Sequence, residues 1–60
     1  MTQKDYIRLA GALREALADA GSSIEARTGV MLALMRVEDV LANERPEFSR
    51  AMFLKAVYGA

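Results

Sequence analysis

The chain contains one proline, and its position constrains everything around it. Pro46 stands in the stretch NERPEFSRAMFLKAVYGA. The residue before a proline is driven away from helical conformation, so a helix arriving from upstream must stop near Arg45. The tail that follows carries both phenylalanines, Phe48 and Phe53, and one of the two tyrosines, Tyr58. Ser49 reads as an N-cap with Arg50 as the first helical residue. Phe48 then falls at N′ and Phe53 at N4, the two positions of a hydrophobic staple. The expected helix covers roughly 50–58 and ends at Gly59. A helix of three turns or fewer does not persist alone in water, so Phe53, Leu54 and Val57 must dock on another surface. That surface belongs either to the same chain or to a second copy of it.

Upstream of the proline the punctuation is sparse. AGSS at 20–23 separates two longer segments. The first opens with Thr2 as an N-cap, and Asp5 suits the positive end of a helix. At 100° per residue, Tyr6, Leu9, Ala10, Leu13, Ala16, Leu17 and Ala20 share an arc of about 120°, with Arg8, Glu15 and Asp19 opposite. This predicts an amphipathic helix over roughly 3–20. Gly21 is expected to end it in a left-handed conformation. Ser22 with Glu25 three residues on reads as a capping box that starts the second helix, roughly 23–43. So short a connection makes the two helices antiparallel neighbours.

The second helix carries more apolar surface than one partner can cover. Ala26, Val30, Ala33, Leu34, Val37, Val40 and Leu41 form a stripe suited to the first helix. Ile24, Met31, Met35 and Ala42 form a second line about 120° away, with Arg27 and Glu38 between the two. Methionines on a spare helical line adapt readily to a partner's surface. Three occupants are open at this point: the chain's own third helix, a second copy, or an external protein. Tyr58 suits an interface rim or an internal hydrogen bond equally. The residues expected to carry an interaction are therefore Ile24, Met31, Met35, Phe53 and Tyr58.

The expected architecture is a single small all-α domain over 1–60, a helical hairpin with a short C-terminal helix. A chain of 60 residues buries only about 60% of its unfolded surface, which makes its stability marginal. There are no cysteines and no histidines. Disulfides, thiolate metal sites and the commonest general base are thereby removed, and self-association is the remaining reinforcement. A homodimer is expected.

Function classes narrow in the same way. No glycine-rich phosphate loop is present, and a three-helix chain of this size has little room for an enclosed pocket. Glu15 and Asp19 at i, i+4 read as a solvated face, and the side chains of Glu38 and Asp39 diverge. An enzyme, a cofactor and a metal are not expected. The eight basic and eight acidic residues cancel, so nothing draws the whole molecule to nucleic acid. Arg45, Arg50 and Lys55 gather near the third helix, but Glu44 and Glu47 lie among them. A small nucleic-acid-binding regulator is kept as the alternative reading. The longest apolar run, VMLALM, is too short to span a bilayer. The N-terminus does not read as a signal peptide, which makes a cytoplasmic protein the expectation.

Lys4-Asp5-Tyr6 at the front, with Pro46, Phe48, Arg50, Phe53, Leu54, Ala56 and Gly59 at the back, resemble a pattern found in small phage and prophage proteins. The likeness covers both ends and not the middle. The chain departs from the pattern at Arg45, at Ser49 in place of a capping aspartate, and at Val57-Tyr58 in place of a cysteine. The family carries no assigned activity. What the resemblance implies is a phage-like accessory protein that binds or inhibits a host protein.

Overall fold

A computed structural model describes residues 2–59 of the chain. It contains three helices, α1 (Gln3–Ala20), α2 (Ile24–Glu44) and α3 (Arg50–Tyr58), and no strand among the described residues. The all-α expectation holds. Laid end to end, α1 and α2 would reach about 58 Å at 1.5 Å per residue. The longest dimension of the molecule is 34 Å, so the chain doubles back at the first connection.

The start of α1 is more fully capped than its sequence alone indicates. The Thr2 hydroxyl accepts from the Asp5 amide at 3.3 Å, and the Asp5 carboxylate accepts from the Thr2 amide at 3.0 Å. This reciprocal pair satisfies two amides that the first turn leaves without partners. The backbone and side-chain hydrogen bonds from Thr2 hold the Asp5 carboxyl below its ordinary value of 3.8. A depressed carboxyl contributes stability above its unfolded pKa and loses it as pH falls through the folded value.

The connection between α1 and α2 differs from expectation in two respects. Gly21 has φ 59 and ψ −128. Its φ is positive, as a glycine allows, but its ψ lies outside the left-handed helical region. The cap of α2 is Ser23, not Ser22: its hydroxyl accepts from the Ala26 amide at 3.2 Å. Ala26 thus occupies the third helical position, so no capping box with Glu25 forms. Glu25 lies in the first turn, where its charge still favours the helix dipole. Neither α1 nor α2 has a basic residue in its last turn. Arg27 of α2 supplies one for α1, donating to the Gly21 carbonyl at 3.2 Å and the Leu17 carbonyl at 3.5 Å.

Pro46 performs the break foreseen for it. The Phe48 amide donates to the Arg45 carbonyl at 3.0 Å, closing a tight turn with proline at its second position. Ser49 caps α3 by accepting from the Met52 amide at 3.2 Å. Gly59 ends α3 in the left-handed region, φ 75 and ψ 20. The staple residues meet: the rings of Phe48 and Phe53 have centroids 5.6 Å apart, and Tyr6 of α1 stacks on Phe48 at 5.7 Å. Tilted pairs of this kind contribute ~0.5–1.5 kcal/mol each beyond their burial.

The third helix docks on its own chain, chiefly against α1. The fully enclosed apolar core draws two residues from each helix: Ala10 and Leu17, Leu34 and Leu41, Phe53 and Val57. Two polar contacts fix α3 at its ends. The Arg14 guanidinium of α1 donates to the Ala56 carbonyl through two nitrogens, one of them at 3.2 Å, which places a cation at the negative end of α3. At the other end Arg50 pairs with Asp39 of α2 at 2.9 Å.

Three substitutions test this assignment. Ser23→Ala should lower stability by about 1 kcal/mol, while Ser22→Ala should leave the thermal midpoint nearly unchanged. Equal losses would restore Ser22 as the cap. Phe53→Ala should cost roughly 3–5 kcal/mol, read as a lower thermal midpoint, and a variant that melts like the parent would mean α3 is not docked.

Candidate interaction surface

The core accounts for only part of α2's apolar surface. Val30, Leu34, Val37 and Leu41 face the other helices, whereas Ala26, Ala33 and Val40 of the same expected stripe are exposed. The covered stripe is narrower than its hydropathy indicates, because Val40 lies about 100° around the helix from the buried Leu41.

The second line divides along its length. Towards its C-terminal end Ala42 is half-buried and Glu38 beside it is 5% exposed. Towards its N-terminal end Ile24 is 80% exposed and Met35 58%, and Met31 is exposed between them. Length and placement together explain the division. The nine residues of α3 span about 13 Å, against about 27 Å from Ile24 to Ala42, and α3 lies against α1 rather than on this line. Leu32, which belongs to neither expected stripe, is exposed beside the methionines.

Of the five residues expected to carry an interaction, Ile24, Met31 and Met35 share this uncovered face of α2. Tyr58 is exposed at the end of α3. Phe53 is not a surface residue: it is 4% exposed and belongs to the core, because the staple turns its ring inward onto Phe48. Leu32 was the residue missed, and its position about 80° from Ile24 on the helical wheel was the available signal.

A second apolar feature lies where the start of α1 meets the Pro46 turn and α3. It is an open groove of about 530 Å³ with Tyr6, Ile7, Phe48 and Met52 among its lining residues, and the Arg45–Glu47 pair at its rim. The Tyr6 hydroxyl is buried and has no hydrogen-bond partner among the described residues.

The charged side chains offer no concentrated site. Arg45 pairs with Glu47 at 3.4 Å and Arg50 with Asp39 at 2.9 Å, so of Arg45, Arg50 and Lys55, the basic residues the sequence gathers in this stretch, two are offset by acids. Glu15 and Asp19 are exposed. Among the described residues no three acidic side chains gather as a metal site would require. No described helix is long and apolar enough to cross a membrane. No protein-family model, curated protein or solved structure matches the chain.

Proposed function

We propose that this chain is a small non-enzymatic protein-interaction module, acting in the cytoplasm, which self-associates as a homodimer through the outer face of α2. The observation that carries the reading is the exposure of Ile24, Met31, Leu32 and Met35 together on one side of a helix that α3 leaves uncovered. A buried side chain of this size gains ~1.5–3 kcal/mol over an exposed one. Four on one helical face make a gross gain large enough to offset part of the cost of association. The resemblance of the two chain ends to phage and prophage proteins extends the reading to a host protein as a target, bound by occlusion or scaffolding.

Self-association makes the folded form more stable as concentration rises, by mass action. The parent protein should therefore sediment as a dimer at about 100 μM, with a thermal midpoint that increases with concentration. Met31→Lys combined with Met35→Lys places two charges in the contact and should give a monomer whose midpoint no longer depends on concentration. A parent protein at monomer mass, with a concentration-independent midpoint, would contradict the reading.

A further inference from the structure

The exposed face of α2 also carries information about how a second copy would lie on it, an inference that rests on the reading above. We infer that the two copies pair through α2 in antiparallel orientation, about a two-fold axis that passes between the paired helices level with the Val30–Met31 step, with Glu25 of each chain facing Arg36 of the other.

Area points to a second copy as the occupant. The chain exposes 4373 Å², where a compact monomer of its 6.6 kDa exposes ~3,900 Å². Each chain thus carries about 500 Å² beyond that expectation, and two chains hiding that much remove about 1,000 Å², the lower bound for a specific interface. A face this small gains most from a partner whose surface repeats its own pattern.

Symmetry and charge fix the orientation. A two-fold interface is self-complementary, so the axis must pass through the middle of the patch. Ile24, Met31, Leu32 and Met35 are centred between positions 30 and 31. Glu25 and Arg36 lie on one flank of that patch, only about 20° apart on the helical wheel. Their midpoint also falls between 30 and 31. When two helices pair antiparallel about such an axis, the same flank of each meets the other, and positions equidistant from the axis face one another. Glu25 then meets Arg36 of the partner subunit twice. In a parallel pair the Glu25 and Arg36 flanks of the two chains would lie on opposite sides of the seam, so the Glu25–Arg36 contacts would not form, and the two helix dipoles would align unfavourably.

Both side chains are free to do this. The Arg36 side chain is 88% exposed and approaches Asp39 only at 4.0 Å, while Asp39 is held more closely by Arg50. Glu25 forms no ion pair within its own chain among the described residues.

Charge reversal tests the pairing. Sedimentation equilibrium of the full chain should show Glu25→Arg and Arg36→Glu each weakening the dimer about tenfold, as two attractive contacts become repulsive. The double reversal should recover parent-like affinity. A dimer indifferent to both single changes, or losses that add in the double variant, would overturn the antiparallel register while leaving self-association standing. A monomeric parent would overturn the register and the self-association together. Because Glu25 lies in the first turn of α2, its variant also changes the helix end, so a second measurement is independent of charge. The chain has no cysteine of its own, and spin labels on Asn43→Cys should lie about 40 Å apart in the antiparallel dimer. A separation under ~20 Å would mean parallel helices and would overturn the inference.

Discussion

The fold depends on a helix that cannot stand alone. At nine residues, α3 is below the length at which an isolated helix persists in water. It exists because Phe53 and Val57 are buried against the hairpin, and the hairpin in turn relies on them. Each helix gives two residues to the enclosed core, so without α3 a third of that core would face solvent. The polar contacts reinforce the docking at both ends. Arg14 meets the carbonyl end of α3, and Arg50 ties its start to α2.

Docking on α1 determines what the rest of the surface can do. Because α3 lies chiefly against α1, the N-terminal half of α2's second apolar line keeps no cover from its own chain. Phe53 and Val57 of the tail close the core, while the adaptable side chains of α2, Met31, Leu32 and Met35, remain outside. A chain of this size without disulfides has little stability to lose. A partner on that face would supplement the core that one copy can build.

Much of this was legible in the sequence, for identifiable physical reasons. Strong local signals placed α1 and α3 closely: Thr2 and Ser49 as caps, Pro46 as the break, Gly59 as the stop, and the Phe48–Phe53 staple. The start of α2 was harder to read because two adjacent serines can each cap a helix. Turn geometry decided between them: with ψ at −128 rather than in the left-handed region, Gly21 extends the connection by one residue and moves the cap to Ser23. Long-range features were the least legible. The periodicity of α2 showed two apolar lines but could not say which one α3 would cover, since that depends on how the tail crosses α1. Arg27 as a partner of the α1 end answers a last turn with no basic residue of its own, a need visible in the sequence whose donor is not, and Arg14 as a partner of the Ala56 carbonyl depends on how α3 crosses α1, which local signals do not encode. Of the residues singled out as candidates, Ile24, Met31, Met35 and Tyr58 are exposed, and Phe53 is not, because the staple that places the residue also hides it.

The central claim is that α3 closes the core within one chain and so leaves the α2 face open. Amide hydrogen exchange on dilute protein tests it most directly, because protection reports the free energy of opening for each segment. The account predicts that the amides of Phe53 to Val57 are protected to the same degree as those of Leu13 to Leu17 in α1, and that this protection is unchanged on further dilution. Rapid exchange throughout α3 beside a protected hairpin, or protection of α3 that appears only at high concentration, would contradict it.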